Sequence, residues 1–246
     1  MSQRDPDQKY MFELLKQALK VKGKTYAQLA DFLGISELSV KRMFRDKDCK
    51  ISRVFEVCDF LSISLEDLLA TQKRKSHTPE FLPEAMEQAL ASNTNLFTVF
   101  VLLISEIGTD DIKSVTGQTH AQLYMHMREL EKIGLISIGA NEKIKFTVPT
   151  PVRWRFDGVL ANELKQLNMR FIAHYFEKLG TPDYQLVSKS RLLSQESLEE
   201  LQRDGDDLAK KFEHLASQDR LFYANDELKL VKQVIAQGPF PILNLV

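Results

Sequence analysis

The chain has 246 residues, 43% of them hydrophobic and 27% charged, with two cysteines and a formal net charge of −1. This composition excludes a collagen-like, wholly disordered or disulfide-stapled protein, and the longest apolar run, Val99–Ile104, is far too short to span a bilayer. The first residues, Met1–Asp7, lack an apolar signal core, so a cytoplasmic protein without a membrane anchor is expected. At about 100–200 residues per domain, the length allows two domains or three small ones. The charge is uneven. Residues 1–78 hold 15 Lys and Arg against 11 Asp and Glu, a net of +4, and residues 79–246 hold 18 against 23, a net of −5. A basic head on an acidic body places any grip on nucleic acid in the head.

The head reads as all helical. Apolar residues at Met11, Leu14, Leu15, Ala18 and Leu19 predict a helix from Gln8 to Val21, ended by Gly23. Thr25, with Gln28 three residues on, predicts a capping box for the next helix, which Gly34 ends. Ser36 caps a third, running to about Arg45. Two more are expected at 51–61 and 64–70, the second with a Ser64/Asp67 capping box. The polar stretch 71–79, closed by Pro79, reads as a linker. Helical patterns follow at 82–92, 95–107, 109–116 (capped by Thr109) and 119–133. Gly117 and Gly134 punctuate the last two. Leu135–Ile138, the turn Gly139–Glu142 and Lys143–Val148 alternate with period two and predict a β-hairpin. Pro149–Pro151 is a second break. Beyond it, a helix is expected at 158–179, a strand at 184–192, a long helix at 194–217 capped by Ser194, a strand at about 229–236, and an apolar tail at 240–246.

The segment Tyr26–Arg45 (YAQLADFLGISELSVKRMFR) meets several constraints at once. Two helices crossing tightly need a small residue in the first, and Ala30 is there. The turn needs a residue that tolerates positive φ, and Gly34 supplies it. Leu29, Leu33, Ile35, Val40 and Met43 fall where the angle between the helices must be filled. These residues, with LADFLGIS at 29–36 and FEVCDFLSISLEDLL at 55–69, resemble the lambda-repressor/Cro-like (XRE) helix-turn-helix family over about residues 8–70. The resemblance implies double-stranded DNA as partner, with helix 36–45 in the major groove. Ser36, Glu37, Leu38, Lys41, Arg42 and Arg45 would then face the duplex. Arg42 suits guanine, Glu37 a cytosine amino group, and Leu38 a thymine methyl. Lys41, Arg45, Lys47 and Lys50 suit phosphates. Tyr26 stands where the family commonly has a phosphate-touching glutamine; its hydroxyl or Gln28 would take that contact.

Residues 95–148 resemble a winged-helix domain of MarR-like and ArsR-like regulators, with MRELEKIGLISI at 127–138 as the end of its reading helix. The outer face there would be Thr119, His120, Gln122, His126 and Arg128, and the wing offers Lys143 and Lys145. With 7 basic against 9 acidic residues over 79–156, two uses stay open: an auxiliary DNA contact, or dimerisation or ligand sensing. The tail resembles the strand–helix–strand that follows the winged helix in some ArsR-like regulators. The expected fold is therefore mostly α. A five-helix lambda-repressor-like domain spans 1–72, a central winged-helix domain 80–150, and a C-terminal α+β strand–helix–strand region 151–246, expected to form a homodimer and to admit a small-molecule effector.

Catalytic signals are missing. Cys49 and Cys58 are nine residues apart, and His120 and His126 fall on different faces of a helix, so no metal is expected. No phosphate-cradling or nucleophile-elbow motif occurs. Asp110/Asp111, Glu199/Glu200 and Asp206/Asp207 are adjacent and diverge on a helix. Trp154, between Arg153 and Arg155, reads as core or interface, or as a stacking platform. Three function classes follow: a DNA-binding regulator with no cofactor and no enzymatic activity; a helix-turn-helix protein-interaction module, antitoxin-like or partner-dependent; and an enzyme with an appended helix-turn-helix, which no spacing supports.

Overall fold

A computed structural model of the chain describes residues 6–76 and 80–241, with the side chains of 7–71 and 80–241. Two compact units are formed, one from residues 1–77 and 204–231, the other from 78–203 and 232–246.

The first unit contains α1 (Pro6–Val21), α2 (Tyr26–Leu33), α3 (Glu37–Asp46), α4 (Ile51–Leu61) and α5 (Leu65–Ser76). Their apolar stripes meet in one core: Leu14, Leu15 and Ala18 of α1, Leu29 and Ala30 of α2, Val40, Met43 and Phe44 of α3, and Val54, Val57, Cys58 and Leu61 of α4. Each fully buried leucine contributes about 1.5–3 kcal/mol. The caps come from the chemistry legible in the sequence. Thr25 Oγ1 accepts from the Gln28 N–H at 3.2 Å, and Gln28 Oε1 accepts from the Thr25 N–H at 2.9 Å. At Ser64 the cap differs from expectation: its hydroxyl accepts from the Glu66 N–H at 3.1 Å, a turn bond one residue short of the capping box predicted with Asp67. Helix α5 continues to Ser76, through most of the stretch expected as a linker at 71–79; residues 77–79 lie outside the described residues.

The long helix α11 (Gln195–Phe222) is shared between the two units. Its second half supplies Leu221 and Phe222 to the first core. The Tyr10 hydroxyl lies 3.2 Å from His214 Nδ1, and Gln17 Nε2 donates to Gln218 Oε1 at 3.2 Å. Burial raises the Tyr10 pKa, a Gln218 hydrogen bond opposing it.

The second unit begins with β1 (Glu80–Phe81), α6 (Glu84–Ala91), α7 (Thr94–Ile104), α8 (Thr109–Thr116) and α9 (His120–Lys132). The N-cap of α8 is Gly108; Thr109, expected to cap it, is already the first helical residue. The hairpin forms as expected, β2 (Ile136–Ile138) against β3 (Ile144–Phe146) in antiparallel register Ile136↔Phe146 and Ile138↔Ile144. Strand β4 (Val152–Arg153) pairs parallel with β1. Leu96, Phe97, Val99, Phe100, Ile112, Leu123, Met127, Leu130, Leu135 and Ile136 form the core. Trp154 packs edge-on against Phe97 at 5.9 Å and Phe100 at 6.3 Å, which makes it a packing residue. Arg155 donates to the Leu82 carbonyl and lies 2.8 Å from the carboxylate of Glu87, itself 1% exposed.

The last helix of this unit is α10 (Ala161–Glu177), shorter than the expected 158–179. The two C-terminal strands are not formed. Residues 184–192 and 229–236 form no helix and have no ladder partner among the described residues. A strand exists only as part of a ladder, and alternating apolar residues cannot supply the other half. The first segment is held by Tyr184, whose ring lies 5.2 Å from Tyr175, and by the Tyr175 hydroxyl donating to the Gln185 carbonyl. The second is held by the Lys232 ammonium, 5.9 Å from the Phe171 ring. Desolvation there lowers the Lys232 pKa. Of the apolar tail expected at 240–246, residues 242–246 lie outside the described residues.

Candidate nucleic-acid interface

Helix α3 packs across α2. Ala30, 3% exposed, is the small residue at the crossing. Gly34 has φ 63°, the left-handed conformation that turns the chain between them. The Ile35 N–H then donates to the Ala30 carbonyl at 3.1 Å. Ser36 is the N-cap of α3. Its hydroxyl accepts from the Ser39 N–H at 3.2 Å and shares a 2.9 Å bond with the Ser39 hydroxyl.

At about 100° per residue, Val40, Met43 and Phe44 take one side of α3 and are buried. Glu37, Leu38, Lys41, Arg42 and Arg45 take the other and are exposed. Glu37 and Lys41 form an ion pair at 2.8 Å. The Arg42 side chain is 75% exposed, with Asp46 at 4.0 Å. Arg45 bonds Asp46 at 3.0 Å, and that hydrogen bond raises its pKa further. Exposed pairs of this kind contribute about 0–1 kcal/mol and are readily exchanged for a phosphate. Leu38 is 76% exposed.

The remaining expected contacts are less open. Lys47 ends α3 with φ 50°, and its ammonium lies 2.8 Å from Glu13 of α1. Lys50 is exposed at the N-cap of α4. The Tyr26 ring packs on Phe44 at 5.0 Å, and burial raises its pKa. Gln28 is exposed, but its amide oxygen is engaged in the Thr25 capping box.

Three residues that hold this surface carry no sequence signal. Arg53 Nη1 donates to the Leu33 carbonyl at 3.1 Å, satisfying an orphan acceptor at the end of α2, and ion-pairs with Glu56 at 2.6 Å. Gln8 Nε2 donates to the Lys47 carbonyl at 2.9 Å, and Glu13 holds Lys47. The turn before α3 and the turn after it are thereby tied to α4 and α1.

The outer face of α9 is different. Thr119 and Gln122 form a second capping box. His126 Nδ1 lies 3.0 Å from Gln118, His120 lies 3.2 Å from Glu142, and Arg128 pairs with Glu131. Cys49 and Cys58 form no disulfide. Burial raises the pKa of Cys49 and, with Asp59 adding to it, pushes Cys58 up to about 11. Among the described residues no cluster of His, Cys, Asp and Glu could hold a metal ion, and no helix is long and apolar enough to cross a membrane.

The family model of the Cro/C1-type HTH DNA-binding domain matches residues 15–74. That span covers the crossing of α2 and α3 and most of the first core, so the N-terminal helices are a DNA-binding helix-turn-helix domain, as the resemblance implied. No curated protein and no solved structure matches the chain.

Proposed function

We propose that this chain is a sequence-specific, homodimeric transcriptional regulator that acts in the cytoplasm and reads an operator with α3 in the major groove. One observation carries the reading. The capped helix α3 buries Val40, Met43 and Phe44 and turns Glu37, Leu38, Lys41, Arg42 and Arg45 outward, on the helix that this domain type inserts into DNA. Arg42 is assigned to a guanine edge, Glu37 to a cytosine amino group and Leu38 to a thymine methyl. Lys41, Arg45 and Lys50 are assigned to phosphates, with Lys47 joining them on release from Glu13. Ser36 lies at the helix tip, and Tyr26 and Gln28 border it.

The domain plan remains 1–72 for the reading head, 80–150 for a winged helix and 151–246 for dimerisation. Internal bonds on the outer face of α9 favour dimerisation or sensing over a second DNA contact. A small-molecule effector would act through residues 80–246. Selection of duplexes from a random pool, followed by a salt titration, tests the reading. The expected result is a two-fold motif with half-sites about one helical turn apart, bound with affinity that falls steeply with salt. Salt-insensitive binding, or an unenriched pool, overturns it. A second reading, a protein-interaction module, draws on the exposed Leu38, Ile51 and Phe55. It predicts that an unenriched pool accompanies stoichiometric co-purification of a protein partner, lost in Leu38→Lys.

A further inference from the structure

Helix α11 carries an apolar stripe that is exposed among the described residues. Leu201, Leu208 and Leu215 recur every seven residues and are 41%, 47% and 47% exposed. Gly205 and Phe212 fall between them, four residues after a leucine, which completes the alternating three- and four-residue spacing of a coiled-coil seam. At about 100° per residue this stripe lies on the side of α11 opposite Ser217 and Leu221, which are buried in the first unit. Phe222, seven residues after Leu215, continues the stripe and is buried there too, so the exposed part of the stripe ends at Leu215. Every residue from 199 to 211 except Gly205 is exposed. A bare helix of that length is marginal in water, and most helical stability in proteins comes from packing an amphipathic face.

The stripe is complementary to itself. Its leucines are symmetric about Leu208, so a reversed copy sets Leu208 on Leu208 and Leu201 on Leu215. The charges agree with that direction. Residues 195–207 carry six carboxylates against one basic residue, Arg203, a net of −5; residues 208–222 carry three Lys and Arg against two carboxylates, Glu213 and Asp219, a net of +1. An antiparallel partner sets the acidic half beside the basic half, and a parallel one sets acid on acid. Gly205 and Ala209 beside the stripe leave room for close approach.

We propose that α11 pairs antiparallel with α11 of a second copy of this chain, about a two-fold axis at Leu208. The inference rests on the homodimer of the proposed function and adds its surface and direction. The stripe from Leu201 to Leu215 gives a seam about 21 Å long.

The test uses the full chain with one cysteine added at a time, and the wild type, which has Cys49 and Cys58, sets the background of cross-linking. Leu208→Cys is expected to cross-link to itself on mild oxidation. Leu201→Cys and Leu215→Cys are expected to stay uncross-linked alone and to cross-link when mixed. Sedimentation of Leu208→Lys, with folding checked by circular dichroism, is expected to show a dimer dissociation constant raised about 100-fold, since two leucines leave the contact and two ammonium groups meet there. Leu208→Met is expected to keep the dimer. Self-linking at 201 or 215 overturns the antiparallel arrangement. A wild-type dimer with no linking at any of the three positions overturns this surface while the dimer stands. A wild-type monomer at micromolar concentration overturns both. The DNA-reading role of α3 is tested separately by operator selection.

Discussion

Helices α3 and α9 follow the same local plan. Each comes after a short helix and a glycine in the left-handed region, Gly34 at φ 63° and Gly117 at φ 67°. Each is capped by a hydroxyl residue, Ser36 or Thr119, and each buries one stripe. Their outer faces differ. On α3 the Arg42 guanidinium stands 75% exposed with its carboxylate neighbour at 4.0 Å. On α9 Arg128 is paired with Glu131, and Glu131 is fixed by accepting from the Ile138 N–H at 2.8 Å. DNA affinity comes mainly from cations that can exchange a local partner for a phosphate. A helix-turn-helix plan positions a helix, and the availability of its side chains decides what the helix can bind.

Four experiments sharpen or break this contrast. The largest effect is expected from Arg155→Met in the second unit, where the guanidinium is structural. It leaves the buried Glu87 carboxylate without its cation, and urea unfolding should show a loss of about 3–5 kcal/mol. A loss under 1 kcal/mol would mean that Glu87 is held by other means. Next, Arg42→Ala should cost about 1–3 kcal/mol of discrimination at one base pair. Lys50→Ala should instead weaken all sequences alike and reduce the salt slope by about 0.9, and Arg128→Ala should leave specificity and slope unchanged. Equal losses for Arg42→Ala and Arg128→Ala would show both helices on DNA.

The caps come third. Ser36→Ala and Thr119→Ala should each lower thermal stability by about 1 kcal/mol, but only Ser36→Ala should also weaken operator binding. The last experiment concerns pH. The Cys58 thiol titrates near 9.0 when unfolded and at about 11 when buried. Its contribution to stability is therefore complete below pH 9 and is lost as pH rises toward 11. The urea midpoint should fall over that window, and less so in Cys58→Ala. A midpoint equally steep in both proteins would assign the loss to other buried groups such as Tyr10 and Tyr26, whose pKa values are also raised.

Much of the helix-turn-helix domain was legible in the sequence because its signals are local. Thr25 and Gln28 are three residues apart, Gly34 answers a backbone need of its own turn, and Val40 and Met43 share a face by helical spacing; Phe44 joins them in the structure. The hairpin at 136–146 was legible for the same reason. The supports of α3 were not. Arg53 meets Leu33 across 20 residues and Gln8 meets Lys47 across 39, and neither pair has a pattern in one dimension. The strands expected at 184–192 and 229–236 show the opposite error, because alternation describes one strand and a ladder takes two.

Local signals sufficed for most of the helical segments, for the caps at Thr25 and Ser36, and for which face of α3 carries its cations, since these depend on residues within a turn or two of each other. Tertiary structure alone decided that the end of α11 joins the first core through Leu221 and Phe222, and that Lys47 is tied to Glu13 while Arg42 stays exposed. Those outcomes depend on which surfaces compete for the same neighbour in three dimensions, and chain order does not encode that competition locally.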